Sequence, residues 1–300
     1  MDGLQIGPWR EEDRLALDKV LDETDALTGQ LRPQQGLPTA GPFRISFVAR
    51  DDSGPVGVAT AFESRWHPRR LWVSVEVASS HRRLGVGSAL LEAVRDASGG
   101  RPLRGKVFAG GAAAGFAAAH GFRVIQRSRT VQLDRPQGPT PGMSVEIDAA
   151  PDAVAAALLD VYVRTHEWDP PGDIDVDDVL AVHVTDAAVT LLVRDATGVG
   201  LAAAGLYDEE DGLELSGGAT TAAGTLARPA VGALLDAAAA HAATQGRPLL
   251  VEVDDANTEL VAEATARHAL PLDEVHIVVV DDRPASGPPE RESGAPERGP

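Results

Sequence analysis

The residues with the clearest chemical potential form a short loop rich in glycine and arginine, Arg82-Arg83-Leu84-Gly85-Val86-Gly87. A strand-like stretch that ends near Val77 precedes the loop, and an amphipathic helix follows it directly. Glycines let the backbone turn tightly and approach a ligand closely. The first turn of a helix leaves N–H groups unpaired and carries partial positive charge. We therefore expect this loop to bind a phosphate or pyrophosphate group.

Two other phosphate-binding motifs do not fit these residues. A dinucleotide-binding fingerprint needs a third glycine where Leu90 stands. A P-loop needs Gly-Lys followed by Ser or Thr, whereas Val107 follows Gly105-Lys106 inside a predicted strand. The alternative that stays open is a glycine-rich turn that only connects a strand to a helix, and the two arginines argue against it.

The loop lies in the first of two halves that follow the same order of predicted elements. The first half predicts a strand at 4–6, a helix over 8–27, strands at 44–49, 56–62 and 71–77, a helix over 87–98, a strand at 103–108, a helix over 112–120 and a strand at 123–133. The second half predicts a strand near Ile147, a helix over 150–163, strands at 189–194, 201–206 and from 213, a helix over 229–244, a strand at 249–253, a helix over 257–268 capped by Asn257, and a strand at 275–280. Because Ile6 aligns with Ile147, Gly87 with Gly232 and His120 with His268, we predict one architecture used twice.

Composition further divides the chain into two domains, a linker and a tail. Residues 134–142 contain three prolines and two glycines, which interrupt helices and strands. Residues 283–300 have almost no apolar side chains, so burial cannot offset the entropy lost on ordering. We predict a first domain over 1–134, a linker over 135–144, a second domain over 145–282 and a disordered tail over 283–300.

Bulk composition excludes several classes of function. The chain has no cysteine, which excludes disulfides, thiolate metal sites and a cysteine nucleophile. The net charge of −18 argues against nucleic acid or an anionic membrane as a partner. No segment has the pattern of a signal peptide or of a membrane span of about 20 apolar residues. We therefore expect a cytoplasmic protein, and the many Ala, Gly, Pro and Arg residues suggest a bacterial source.

The charge is unevenly distributed between the two halves. Residues 1–135 hold 19 Arg and Lys against 15 Asp and Glu, whereas residues 136–300 hold 8 against 30. Two explanations stay open. Either the acidic surface keeps the second half soluble, or an acidic face attracts a cationic substrate to a site beside a basic cofactor pocket.

The stretch from Val75 to Leu91 combines a strand with the pattern Arg/Gln-x-x-Gly-x-Gly/Ala, and the stretch from Phe116 to Val124 joins a helix to a strand through Gly-Phe. Both stretches resemble motifs of the GNAT superfamily of acyl-CoA-dependent N-acetyltransferases. The second half resembles the family more faintly, because it keeps Asn257 before its later helix and one loop glycine, Gly232. The resemblance implies an α/β (α+β) fold of two tandem GNAT-like domains, each a mixed central sheet flanked by helices.

This resemblance also implies acetyl-CoA as the co-substrate and no metal. Backbone groups of the fourth strand would bind the pantetheine and polarise the thioester carbonyl, and backbone N–H groups of the loop would hold the pyrophosphate. The residues implied in cofactor binding are Val75, Val77, Arg82, Arg83, Leu84, Gly85, Val86, Gly87 and Ser88.

Acetyl transfer needs a base that deprotonates the attacking amine, directly or through water. We take Glu76 on the fourth strand and Glu63 at the end of the third strand as catalytic candidates. His67 and His81 are further candidates, because they lie nearby in the sequence. The alternative for each of these side chains is a solvated surface group.

The sequence departs from the family at the residue that would protonate the leaving thiolate. The family usually has a Tyr in the later helix, whereas Ala117 stands there and the first half contains no Tyr. Tyr162 and Tyr207 belong to the second half, so either reaches a site in the first half only if the halves share a cleft. The loop of the second half has also decayed, since Ala227 replaces the leading Arg/Gln and Pro229 removes a backbone donor.

We therefore predict an N-acetyltransferase that transfers an acetyl group from acetyl-CoA to a primary amine of a small molecule. The first half would bind the cofactor, and the second half would shape the substrate cleft. The alternative is a non-catalytic acyl-CoA-binding or interaction protein, which the missing Tyr and the decayed second loop favour. The sequence leaves the identity of the amine open, and it leaves a homodimer open.

Overall fold

The structure of the protein, a computed structural model, describes residues 3–21, 43–133, 136, 138 and 140–281. The predicted tail over 283–300 and the end of the first predicted helix, residues 22–27, lie outside these ranges. Within the described residues, no helix is long and apolar enough to cross a membrane.

Strands and helices of the first half follow the order that the sequence predicts. They are β1 (Gln5–Pro8), α1 (Asp13–Val20), β2 (Arg44–Asp51), β3 (Gly54–Glu63), β4 (Leu71–Val77), α2 (Val86–Ala97), β5 (Leu103–Phe108), α3 (Ala112–Ala119) and β6 (Arg123–Leu133). The strand predicted at 71–77 is confirmed as β4, where Leu71 and Val73 pack in the core with Leu90 of α2 whereas Trp72 faces the other side of the sheet.

The strands of the second half follow the same order. Its elements are β7 (Met143–Ile147), α4 (Pro151–Thr165), α5 (Val176–Val179), β8 (Val189–Asp195), β9 (Gly200–Glu209), β10 (Gly212–Ala219), α6 (Ala227–Thr244), β11 (Leu249–Asp254), α7 (Thr258–Ala266) and β12 (Leu270–Val280). The predicted repeat of elements is confirmed, since α6 corresponds to α2 and carries Gly232 near its start. The sequence pattern did not predict α5 or the π-helical turn Leu180–Val184 that follows it.

Strands from both halves form one mixed sheet of twelve strands, in the order β1-β2-β3-β4-β5-β12-β6-β11-β10-β9-β8-β7. The last strand of each half pairs with the other half: β12 lies beside β5, and β6 lies beside β11. Val131 and Leu133 of β6 accordingly pack in the core of the second half, and Val280 of β12 packs against the core of the first. Backbone hydrogen bonds therefore join the two predicted domains across the centre of the sheet.

Helices cover both faces of the sheet, because apolar side chains point alternately to each face. In the first half, Val48 and Val58 pack under α1, whereas Ala49 and Ala59 pack with the residues under α2. In the second half, Ala203 packs under α4, whereas the neighbouring alanines of β9 pack under α6. One face thus carries α1 and α4, and the opposite face carries α2 and α6.

The prediction that the first helix begins at Pro8 is wrong. Pro8 belongs to β1, where it pairs with Phe47, and the Trp9 N–H donates to the Ser46 carbonyl at 3.0 Å. The chain therefore stays extended beyond Pro8 because it completes the edge of the sheet. The Arg10 N–H donates to the Asp13 carboxylate at 2.7 Å, and α1 begins at Asp13.

The prediction that Asn257 caps the later helix of the second half is also wrong. Asn257 precedes α7, but its side chain makes no capping hydrogen bond. Its amide Nδ2 instead donates to the carbonyl of Gly217 on β10 at 3.0 Å. The Asn257 side chain therefore makes a hydrogen bond to another strand in place of the expected capping hydrogen bond to its own helix.

Candidate active site

The first loop, residues 78–85 between β4 and α2, has the backbone of an anion-binding turn. Arg83 and Gly85 both have positive φ, at 65° and 84°. Such left-handed residues turn successive N–H groups toward one concave side. α2 begins at Val86, and no side chain caps it. The N–H groups of its first turn are therefore available to an anion, which the helix dipole also favours.

Arginines and a tight helix contact complete this loop. Arg83 is exposed, and Arg82 Nε donates to the Val77 carbonyl at 3.0 Å, which fixes the loop against the end of β4. A Cβ on Gly87 would lie 3.2 Å from the ring of Phe116 and 3.6 Å from Val77. Glycine at this position therefore lets α2 approach both β4 and α3 closely.

β4 and β5 separate beside the first loop. The two strands are parallel and pair only at Leu71 with Leu103 and at Trp72 with Arg104. From Val73 to Val77, β4 pairs with β3 on one side but has no partner strand on the β5 side. Backbone groups seek hydrogen-bond partners, so this opening offers an extended ligand the edge of a strand.

The second loop, residues 220–226 between β10 and α6, has the same place in the fold but different chemistry. α6 begins at Ala227, and Pro229 removes one N–H donor from its first turn. Arg228 Nε lies 2.7 Å from Glu263 Oε1. Glu263 also pairs with Arg267, which donates to the Gly232 carbonyl at 3.1 Å. Internal carboxylates therefore satisfy the positive charges here.

β10 and β11 also separate, but a side chain bridges their opening. The strands pair at three positions, Leu213–Leu215 with Leu249–Val251. Beyond them the Asn257 amide bonds to Gly217, and a Cβ on Gly218 would lie 2.6 Å from that amide. The strand edge that is open in the first half is therefore occupied in the second.

The structure does not bring the two predicted carboxylates together. In the antiparallel pair of β3 and β4, Glu76 lies opposite Val58 and Glu63 lies opposite Leu71. Along β4, Leu71 and Glu76 are five positions apart, so about 16 Å separates the two carboxylates. Paired residues share a face and successive residues alternate between faces, so an odd separation places Glu63 and Glu76 on opposite faces of the sheet. Glu63 Oε2 lies 3.3 Å from Arg101 Nη1. Glu76 is half-buried beside the opening between β4 and β5.

The two candidate histidines have different surroundings. His81 lies next to the first loop, and its Nε2 is 2.9 Å from Asp51 Oδ2, which ties the loop to the turn between β2 and β3. His67 is buried, with 4% of its surface exposed, so its interpretation as a solvated surface group is wrong. Burial lowers the pKa of His67 to about 3, so its imidazole is neutral.

A cavity of about 630 Å³ lies between the halves, on the face of the sheet that α4 covers. The floor of this central cavity crosses seven strands, from Trp72 on β4 to Tyr207 on β9, and α4 and the segment before β4 line its sides. The halves thus share a cleft, and both Tyr162 and Tyr207 line it. A shared cleft is what either tyrosine needs in order to reach a site in the first half. Three of the four tryptophans of the chain line the cleft too.

Tyr162 reaches across this cleft to the first half. Its hydroxyl lies 2.5 Å from His67 Nε2, and His67 Nδ1 lies 2.8 Å from the Asp169 carbonyl. Because a carbonyl only accepts, Nδ1 carries the imidazole proton, and Nε2 accepts from Tyr162. Burial raises the pKa of Tyr162. The Tyr162 proton is therefore engaged with His67.

Buried ion pairs join the halves beside the cavity. Asp169 is fully buried, and its two oxygens lie 2.9 Å from Arg70 Nη1 and 3.1 Å from Arg104 Nη1. The Arg104 guanidinium also lies 3.9 Å from the centre of the Trp72 ring. Burial lowers the pKa of Arg104 to about 10, although Asp169 works against that shift.

Carboxyl groups of the second half gather at the other end of the cavity. Burial raises the pKa of Glu252 and of Asp254, and the charge of Asp254 adds to the shift of Glu252. Burial, followed by the charge of Glu252, raises the pKa of Glu214 to about 7. Lys106 opposes all three shifts. Among the described residues, no group of three or more His, Asp or Glu side chains could hold a metal ion.

Sequence reasoning missed most of this cavity. Arg104 and Asp169 are paired in space although 65 residues separate them in the sequence. Asp169 lies in a segment that carries no recognisable motif. One sequence feature could have indicated the cavity. Aromatic residues make up only 4% of the chain, yet they cluster near histidines at two places in the sequence. Trp66 and Trp168 each lie within a few residues of His67 or His166, and all of these side chains line the cavity.

Comparison with known proteins supports the family. Residues 42–124 match the model of the acetyltransferase (GNAT) domain. The search of curated proteins gave no match. A GCN5-related N-acetyltransferase from Sphaerobacter thermophilus is similar in structure, with a TM-score of 0.65 and 15% identity over 95% of this chain and 97% of that one.

Two further solved structures have a similar fold. A tandem GNAT protein from the clavulanic acid biosynthesis pathway has a TM-score of 0.57 and 19% identity over 94% of this chain and 99% of that one. A GCN5-related glucosamine N-acetyltransferase region of a fungal β-N-acetylglucosaminidase has a TM-score of 0.61 and 15% identity over 92% of this chain and 38% of that one.

Residues 42–124 therefore contain a GNAT-type acetyltransferase domain. Over most of its length the chain has a fold similar to that of a tandem GNAT protein.

Proposed function

We propose that the first half binds acetyl-CoA and that the protein transfers the acetyl group to a primary amine. The observation that carries this proposal is the first loop, where positive φ at Arg83 and Gly85 precedes an uncapped helix N-terminus. The equivalent loop of the second half has a proline in its first helical turn and an arginine paired with Glu263.

The residues of the first half fit this co-substrate. Backbone N–H groups from Arg83 to Ser88 would hold the pyrophosphate, with Arg82 and Arg83 adding positive charge. The open edge of β4, from Val75 to Val77, would bind the pantetheine by backbone hydrogen bonds. Acetyl-CoA supplies the activated acetyl thioester.

We propose Glu76 as the base that receives the proton of the amine, directly or through water. It lies on the face of β4 that carries Trp72, beside the strand opening. Glu63 is the weaker candidate, because it faces the opposite side and is paired with Arg101. The thiolate would take its proton from water, since Ala117 is buried and has no proton to give.

We propose a small molecule as the amine, because the central cavity opens between the halves and has carboxyl groups along one wall. A cationic amine would be attracted to that wall. We place the reaction in the cytoplasm of a bacterium, in line with the acidic, cysteine-free composition.

Release of CoA tests this function. Because the chain has no cysteine, a thiol reagent detects only the CoA that turnover releases. The panel consists of diamines, amino acids, a peptide N-terminus and aminosugars including glucosamine. We expect turnover with at least one amine, and we expect Glu76→Gln to lower kcat by about 100-fold or more.

The matched control is Glu63→Gln, which removes the same charge from the other face and should change kcat less than threefold. Binding of acetyl-CoA without CoA release from any amine would favour the non-catalytic alternative. Equal loss of activity in both variants would contradict the role of Glu76.

A further inference from the structure

The second-half end of the central cavity contains buried oxygens that lack hydrogen-bond donors. They are Oδ1 of Asp254, Oδ1 of Asn257 and Oε1 of Gln126, and all three residues line the cavity. Gln126 and Asn257 are each only 4% exposed. A buried acceptor without a donor costs about 1–3 kcal/mol, so this arrangement favours a ligand that brings donors.

These three residues are neighbours. Asp254 pairs with Ser128 across β11 and β6, two positions from Gln126. The Asn257 N–H donates to the Asp254 carbonyl at 2.9 Å. Glu252 lies on the same face of β11 and accepts from Ser128 at 3.0 Å. The oxygens are covered in this conformation, so a ligand reaches them after a side-chain rotation within the set.

A primary ammonium group matches this set of acceptors. It carries three N–H donors and no acceptor, and it brings the positive charge that two carboxyl groups require. A hydroxyl or an amide would supply fewer donors, and it would add no positive charge beside Glu252 and Asp254.

The first-half end of the cavity has the opposite character. Nε and Nη2 of Arg104 are buried donors without a hydrogen-bond partner, and Arg104 is 1% exposed. Nε1 of Trp168, another lining residue, is a further buried donor without a partner. Lys106 lies on the same face of β5 and adds positive charge. A second cation would be repelled from this end, whereas a carboxylate would satisfy the guanidinium.

We propose that the central cavity binds a small molecule with a primary ammonium group at one end and an anionic group, such as a carboxylate, at the other. Asp254, Asn257 and Gln126 bind the ammonium group with Glu252 as a counter-charge, and Arg104 binds the anion. The proposal concerns binding alone and does not rest on the proposed function, because β11 lies four strand spacings, about 19 Å, from β4, where the acetyl group would lie. β5 and β11 are three strand spacings apart, about 14 Å, so the two charges of the ligand are not on adjacent atoms.

Calorimetry on the full chain without acetyl-CoA tests the site. The probes are L-lysine, 6-aminohexanoate and 8-aminooctanoate, with hexylamine, cadaverine and hexanoate for comparison. We expect at least one zwitterion to bind ten times more tightly than hexylamine, cadaverine and hexanoate. Since a bound cation favours ionised carboxylates, binding should release protons and its heat should depend on the buffer.

Asp254→Asn keeps the shape of the side chain and should weaken zwitterion binding at least tenfold. Asp255→Asn, the adjacent exposed residue, is the matched control and should leave it unchanged. Tightest binding by cadaverine, or equal affinity in Asp254→Asn and wild type, would overturn the proposal. So would binding of acetyl-CoA by a folded protein that binds none of the zwitterions.

The two proposals fail separately. Zwitterion binding without CoA release from any amine of the panel would leave the cavity site intact and contradict the proposed function. CoA release from a panel amine by a protein that binds none of the zwitterions would leave the function intact and overturn the cavity site.

Discussion

The first and second loops occupy the same place in a repeated fold, yet they differ in whether a carboxylate of the protein pairs with their exposed arginine. In the first loop, Arg83 is exposed next to an uncapped helix N-terminus. In the second, Arg228 is paired with Glu263, which also pairs with Arg267. A carboxylate of the protein thus takes the role that a ligand phosphate would have in the first half. In our proposal, the duplicated fold keeps an anion site in the first loop, whereas ion pairs within the protein replace it in the second.

The strand openings beside the two loops also differ, since the one in the first half is open and the one in the second half is occupied. β4 has a free edge beyond Trp72, whereas the Asn257 amide bonds to Gly217 at the equivalent place on β10. A ligand that binds by backbone hydrogen bonds therefore finds partners in the first half and a competitor in the second. Both differences favour the proposed cofactor site in the first half, and the following variants test that proposal and the unity of the fold.

Residues 1–134 produced alone should not fold, which is the largest effect that we expect. That fragment lacks β12, the strand that separates β5 from β6, and it leaves β6 without its partner β11. Circular dichroism and size-exclusion chromatography would check this. A cooperatively folded, monomeric fragment would show that the halves are independent.

Asp169→Ala should destabilise the full chain by about 3–5 kcal/mol, because it leaves the buried Arg104 without its counter-charge. Chemical denaturation measures the change. Asp281→Ala is the control, since Asp281 is half-exposed, and it should cost less than about 1 kcal/mol. Equal losses of stability in the two variants would contradict the expectation that the buried ion pair contributes more than the exposed one.

Local features of the molecule were predictable from the sequence. Alternation of apolar residues identified β4 with the bounds that the structure gives, and the glycine spacing placed the loop before α2. These signals lie within about fifteen consecutive residues, so the chain itself encodes them. The start of α1 was missed because Pro8 is held in β1 by pairing with Phe47, which is far away in sequence.

Features that depend on distant pairing were not predictable. The exchange of β6 and β12 follows from hydrogen bonds between strands about 170 residues apart, such as Val275 with Phe108. The bond between Tyr162 and His67 exists only because this exchange places the halves face to face. Local propensity carries no information on either, so the central cavity could not be derived from the sequence.

Arg83→Ala should weaken acetyl-CoA binding by about fivefold at low salt, and less at high salt, because an exposed charge is screened. The matched change in the second loop, Arg228→Ala, should leave the affinity unchanged. Titration at two salt concentrations measures both. A greater loss in Arg228→Ala would reverse the comparison of the loops.

Glu214→Gln tests the acidic character of the second half, with the smallest expected effect. The pKa of Glu214 is raised to about 7, so the folded state keeps a proton that the unfolded state releases near pH 4.5. Wild-type stability therefore falls as the pH rises from about 4.5 to 7. At pH 8 the free energy of unfolding of the variant should exceed that of the wild type by about 1 kcal/mol, a figure that allows for solvent screening of this partly exposed group. At pH 4 the variant should be no more stable than the wild type. Glu210→Gln, on an exposed turn, should show no such pH dependence.

Calorimetric titration of acetyl-CoA into three proteins tests the central claim most directly. They are the wild type, the double variant Gly85→Val/Gly87→Val and the variant Gly232→Val. Valine is strained at the positive φ of Gly85, whereas a Cβ on Gly232 meets its nearest atom at 3.4 Å. We predict one equivalent bound by the wild type and by Gly232→Val, and none by the double variant. No binding to the wild type, or loss only in Gly232→Val, would contradict a cofactor site in the first half.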